Sequence, residues 1–133
     1  MDARITQFSN NLFLITLPPP IPGFNDFICV WLYKGSISFI VDVGPSVTVP
    51  DLIKALNDLD ITCLDYIFLT HIHLDHAGGI GEIAEHFSLT PVICHAAAIS
   101  HLVDPSKLVA GTIKTLGDTG RAYGPIKPVP KNR

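Results

Sequence analysis

Charge is scarce in this chain. Only 16% of its 133 residues are Asp, Glu, Lys or Arg, which excludes the highly charged, weakly hydrophobic composition that keeps a segment disordered. The nine Lys and Arg are scattered, with a mild cluster at Lys127, Lys131 and Arg133, and the net charge is −3. There is no basic stripe of the kind on which nucleic-acid binding rests. Cysteine is sparse as well: Cys29, Cys63 and Cys94 are far apart, odd in number and form no CxxC pair. They read as reduced thiols of a cytoplasmic protein, not as a disulfide framework. Long apolar runs are missing too. The greasiest region, 27–43, is broken by Lys34, Gly35 and Ser36, and the opening MDARITQFSNN has no basic start leading into an apolar stretch. Neither a membrane span nor a signal peptide is expected.

What the chain has in quantity is hydrophobic side chain, 47% of residues. The length suits one domain, 1–133, with a single core. So greasy a composition also fits a domain whose partner half is absent, because the face meant for that half is apolar and has nothing here to cover it.

Residues 5–8 and 12–17 are β-favouring runs around the turn residues Ser9, Asn10 and Asn11, which predicts a hairpin. PPPIPGFN, 18–25, cannot pair as strand or helix and reads as an exposed loop, either a connector or one wall of a cleft. FICVWLY and ISFIVDVG are apolar nearly throughout and are joined by a short turn, so they are expected to be buried, antiparallel central strands. A helix follows, with Thr48 as N-cap, Pro50 in the first turn, Asp51 as capping-box partner, and Leu52, Ile53, Leu56 and Leu59 on one face. Residues 64–69 suit a strand, residues from Ile80 to Phe87 a helix, PVICH a strand, and AAAISHLVD and SKLVAGTIKTLGD two more helices. The stretch GRAYGPIKPVPKNR has no periodicity and reads as an edge strand, a linker or a cut end. Strands first, then strand and helix alternating, predicts an α+β or α/β layer: a mixed, mainly antiparallel sheet with helices on one face.

The strand at 64–69 runs directly into THIHLDHAGG, which sets three histidines and an aspartate within six residues, 71–76, followed by two glycines. Neutral imidazole is the commonest protein ligand for zinc and suits iron, copper and nickel; the carboxylate adds a hard oxygen. In an extended segment residues two apart point the same way, so His71 and His73 are placed to grip one ion while the turn at Asp75 and His76 presents a second pair. Gly78 and Gly79 let the backbone bend and a helix start close by. Isolated histidines are more often structural, and His86, His95 and His101 are read that way. Thr70 and Asp42 are candidates for support. Asp42 either orients a ligand histidine or caps the turn at Gly44.

With an apolar strand before it, glycines after it and FIVDVG upstream, THIHLDHAGG resembles the His-x-His-x-Asp-His motif of the metallo-β-lactamase fold superfamily. The resemblance covers essentially the whole chain, as the N-terminal half of such a fold. It implies an αββα sandwich built from two similar halves, with the metal site at the sandwich edge. His71 and His73 would serve a first metal, Asp75 and His76 a second, and Asp42 would be the supporting carboxylate beneath the loop. It also implies a later histidine in a PGH-like turn, a bridging aspartate and a final histidine, none of which has a counterpart after His76; His95 and His101 come too early. The domain is therefore expected to be incomplete at its C-terminus, leaving each metal about two protein ligands of the three or four that zinc normally takes.

The function implied is that of a metal-dependent hydrolase. Zinc, one or two ions, is the expected cofactor, and a metal-activated water attacks an ester, thioester, lactone, amide or phosphodiester of a small-molecule substrate, with Asp75 orienting that water or taking its proton. One alternative is an iron-dependent oxygenase or redox enzyme on the same scaffold. Another is a truncated, non-catalytic domain, inactive alone, that forms homo-oligomers through an exposed sheet face.

Overall fold

Ser9 sets the first turn, its hydroxyl accepting from the Asn11 and Leu12 amides at 3.3 and 3.1 Å. On either side of it β1 (Arg4–Gln7) and β2 (Leu12–Leu17) pair antiparallel, the expected hairpin. The structure is a computed structural model and describes residues 2–133. The meander continues antiparallel through β3 (Ile28–Lys34) and β4 (Ser38–Val41). PPPIPGFN between β2 and β3 forms neither strand nor helix.

After β4 the pairing changes sense. The chain passes through a 3₁₀ turn at Ser46–Thr48 and α1 (Val49–Asp58), then returns as β5 (Tyr66–Phe68), parallel to β4. Two short helices follow, α2 (Leu74–Ala77) and α3 (Ile80–His86), before β6 (Val92–Ile93) adds parallel to β5. The six strands lie in chain order, with the antiparallel pairs at one side and the parallel pairs at the other. This is the α+β class, with its mixed, mainly antiparallel sheet. The remaining helices are α4 (Ile99–Val103), α5 (Ser106–Leu116) and α6 (Asp118–Ala122).

Period-two alternation decides where the core sits. Ile15, Leu17, Ile28, Val30, Leu32, Ile40 and Ile67 are fully buried, in one cluster with Leu52 and Leu56 of α1 and Ile80 and Ile83 of α3. On the inner face the strands are buried as expected; the opposite sheet face is only partly covered. Trp31, Tyr33 and Tyr66 are each 39% exposed. Tyr33 stacks on Phe39 at 5.4 Å, and Phe39 meets Phe68 edge-on at 5.3 Å. Apolar residues at every position of a strand show that both faces are greasy, but do not show that both are covered.

Two local expectations are corrected. Thr48 precedes α1 but makes no side-chain cap; its hydroxyl donates back to the Pro45 carbonyl at 3.0 Å. The 3₁₀ turn already carries the chain into helical geometry, so the capping box with Asp51 does not form. The stretch GRAYGPIKPVPKNR is neither edge strand nor linker. Its first residues complete α6, and the rest lies on the body, where the Val129 amide donates to Leu102 O (2.9 Å) and the Arg133 guanidinium to Phe87 O and Thr90 O (both 2.6 Å). Among the described residues no helix is long and apolar enough to cross a membrane.

Candidate metal centre

The site is assembled where the sheet changes sense, from the chain leaving β4 and the chain leaving β5. The Asp42 amide extends the parallel ladder by donating to Phe68 O at 2.7 Å. Asp42 itself has φ +62°, left-handed geometry that aspartate tolerates better than most residues. The residue is 8% exposed, and its carboxylate is reached by Thr70 twice: the amide donates to Oδ1 at 2.9 Å and the hydroxyl to Oδ2 at 2.8 Å. The Gly44 amide donates to His76 O instead (3.0 Å). Asp42 therefore holds the histidine loop and does not cap the turn at Gly44.

Thr70 also fixes a tautomer. Its oxygen lies 2.9 Å from His71 Nδ1. A hydroxyl has one proton, here committed to Asp42, so its lone pair must accept from Nδ1–H, and His71 Nε2 is left with the free lone pair that a metal requires. The loop is then folded back by α2, where the His76 and Ala77 amides both donate to His73 O at 2.9 Å. Val43 and Gly44 bind the carbonyl of His76, and Gly79 N donates to Gly44 O at 2.9 Å. Both glycines have negative φ, so their task is not the sharp bend expected from the sequence. They make room: a Cβ on Gly79 would come within 2.5 Å of Val49 Cγ2, and one on Gly78 would collide with Leu74 O.

His71, His73, Asp75 and His76 are thus brought together at the C-terminal edge of the sheet. The His71 ring lies 4.9 Å from that of His73 and 4.5 Å from that of His76. His76 Nε2 and Asp75 Oδ2 are 3.3 Å apart, the edge of a tetrahedron whose bonds are about 2.0–2.1 Å. Asp42 Oδ2 stands 3.9 Å from His76 Nδ1. By the chemistry of its donors, a set of three imidazoles with two carboxylates suits a divalent cation. Among the described residues no three of these side chains converge on a single point; the approaches are pairwise.

His73 and Asp75 open onto a groove of about 600 Å³, whose other walls are His101, one face of α5 and Tyr123. Tyr123 is 4% exposed. Burial, and after it the Asp75 carboxylate, push its phenol above the ordinary tyrosine value, so it remains a neutral hydroxyl. The proline loop does not line this groove. His95 accepts from the Ala97 amide at the start of a 3₁₀ turn, and His86 packs edge-on against Phe87, both structural placements. His101, for which the sequence suggests a structural role, lines the groove.

Fold and loop together define a class: an α+β domain that presents a histidine–aspartate loop where its sheet turns from antiparallel to parallel. The family profile described as the metallo-beta-lactamase superfamily matches residues 27–133, and the chain belongs to that superfamily. It is 34% identical over 113 residues to the hydroxyacylglutathione hydrolase of Photobacterium profundum, covering 80% of this chain and 44% of that protein. To the Pectobacterium atrosepticum hydroxyacylglutathione hydrolase it is 38% identical over 74 residues. Among solved structures, an archaeal superfamily protein from Sulfolobus tokodaii superposes with a TM-score of 0.72 at 27% identity, covering 90% of this chain and 46% of that one. A subclass B3 metallo-beta-lactamase from a soil metagenome library shares the fold, with a TM-score of 0.69 at 18% identity and coverage of 98% and 45%. The chain thus spans less than half the length of these relatives. The superfamily is named for a metal-dependent activity.

Proposed function

We propose that this chain carries the metal-binding loop of a metal-dependent hydrolase acting on small-molecule thioesters or esters. The Asp42–Thr70–His71 relay carries the reading, because it leaves His71 Nε2 free to bind in a loop whose Asp75 and His76 donors stand one tetrahedral edge apart. The hydroxyacylglutathione hydrolases among its relatives support the thioester class. On this reading His71 and His73 would hold one zinc ion, and Asp75 and His76 a second. When bound, the metal would supply Lewis acidity for a water and for the scissile carbonyl. Asp42 and Thr70 orient the His71 ring, Asp75 positions the attacking water or takes its proton, and the groove holds the substrate. The remaining ligands belong to the second half of the fold, so 1–133 acts as one domain with a partial coordination sphere. Three unpaired thiols support a reducing, cytoplasmic setting. Zinc content of wild type against His71→Ala and His73→Ala tests the assignment: a marked loss in both is expected, and equal content would remove it.

The exposed aromatic face supports a second property of the chain as given, self-association through the sheet. Trp31, Tyr33 and Tyr66 present a contiguous apolar surface, and a face of that kind is stabilised by a matching one. Light scattering on the chain reads the state directly, and a monomer would sink the idea.

A further inference from the structure

The groove beside His73 and Asp75 has a composition the hydrolase reading does not explain. One face of α5 forms its long wall, with Lys107, Leu108, Gly111, Thr112, Thr115 and Leu116 recurring at helical spacing. Although α5 is an amphipathic helix of 11 residues, none of them is buried, and Leu116 is 47% exposed. Of the helix's apolar side chains, Leu108 and Leu116 line the groove, Leu108 also packing against the core, while Val109 and Ile113 lie outside the lining. Gly111, at the middle of that wall, weakens the helix, yet neither backbone conformation nor packing demands it: a Cβ there would meet nothing within 4 Å. What glycine supplies at that position is width. The groove also contains one lysine away from the histidine loop. Lys107, in the first turn of α5, makes no ion pair among the described residues, and His101 of α4 lies on the same lining. A cavity of about 600 Å³ is of the size that encloses small-molecule ligands.

We infer that this groove is an acyl-chain subsite, taking a substrate with a linear apolar segment laid along α5 at Gly111 and an anionic group met by Lys107. The inference rests on the hydrolase reading for the placement of the scissile carbonyl near His73 and Asp75. The subsite itself stands on α5 and Lys107. It gives this chain a preference for amphiphilic acyl compounds over short or uncharged ones.

The test is calorimetric titration of chelator-treated protein with octanoate, acetate and octanol, which keeps metal chemistry out of the readout. Octanoate is expected to bind at least tenfold more tightly than acetate or octanol. Gly111→Leu, whose side chain fills the groove without touching its neighbours at Cβ, is expected to weaken octanoate at least tenfold, and Gly111→Ala to fall between the two. Lys107→Gln is expected to weaken octanoate at least fivefold. Circular dichroism establishes that each variant is folded. Octanoate binding unchanged in Gly111→Leu would place the ligand elsewhere and overturn the inference. Equal affinity for octanoate and acetate would do the same, and indifference to Lys107→Gln would overturn the anionic contact. Zinc content of wild type against His71→Ala separates the two readings. Octanoate binding by a chain that takes up no zinc retains the subsite and removes the hydrolase, and zinc uptake without octanoate binding does the reverse.

Discussion

Replacing Thr70 with valine removes one hydroxyl and keeps the shape of the side chain. That hydroxyl donates to Asp42 Oδ2 at 2.8 Å and accepts from His71 Nδ1 at 2.9 Å. A hydrogen bond to a charged group contributes about 1.5–3 kcal/mol. Thr70 is exposed, and its amide still serves Asp42 Oδ1, so the loss of stability belongs at the lower end, about 1.5 kcal/mol. The larger effect falls on the ring. Without an acceptor at Nδ1, His71 is free to exchange tautomers, and removing such a partner lowers metal affinity about 10–100-fold. Zinc titration against a chromophoric chelator measures the affinity, and long-range nitrogen NMR identifies the tautomer. Wild type is expected to hold Nδ1–H, the valine variant to show a mixture, and Thr70→Ser, which keeps the hydroxyl, to behave as wild type. A Thr70→Val chain with undiminished zinc affinity and an unchanged His71 tautomer would falsify the relay.

Gly79→Ala forces a methyl to within 2.5 Å of Val49 Cγ2; overpacking of this kind costs about 1–3 kcal/mol, read as a lower urea midpoint and partly recovered by adding Val49→Ala. An unchanged midpoint would show that the loop does not need to pack so closely on α1. Tyr123, its phenol raised by burial and by Asp75, binds its proton more tightly folded than unfolded. The associated stability is present in full below the ordinary tyrosine pKa of about 10 and is lost as pH rises through the folded value. Tyr123→Phe should therefore hold its urea midpoint in the alkaline range where wild type declines, and parallel curves would refute the argument. On the aromatic face, Trp31→Lys combined with Tyr66→Lys is expected to convert an oligomer to a monomer in light scattering while leaving the far-ultraviolet circular dichroism unchanged. Persistence of the oligomer would place its interface elsewhere.

Turn chemistry and period-two alternation made β1–β4 legible in the sequence, because Ser9 and Gly35 act locally and strand faces follow from parity. The exposure of the aromatic positions of β3 is not legible, because Trp31 and Tyr33 are as hydrophobic as core residues and nothing local says whether a second layer covers them. The short helix α6 was hidden by Gly120, which reads as a breaker but gives close approach to Thr112, where a Cβ would lie 3.1 Å from the carbonyl oxygen. At the site, HIHLDH announced itself because four metal-seeking residues share one short stretch. Asp42 could only be placed among alternatives, since its bond to Thr70 spans 28 residues. The groove was not legible at all. His101 lies on α4, Lys107 and Gly111 on α5 and Tyr123 just after α6, and only the packing of these helices brings them to one groove.

The change of pairing sense at β4 bears on how the molecule assembles. β1 to β4 join through hairpin-like connections whose partners are close in sequence, and such contacts form early because little chain entropy opposes them. β5 must first be carried across the sheet by α1 before it can align with β4, and parallel pairing of that kind is slower. Asp42 belongs to the early unit and Thr70 to the late one. Closure of their hydrogen bonds is thus a docking event between a preformed meander and an arriving strand. In hydrogen exchange, the Thr70 amide should lose protection through openings that leave the amides of β2 and β3 protected.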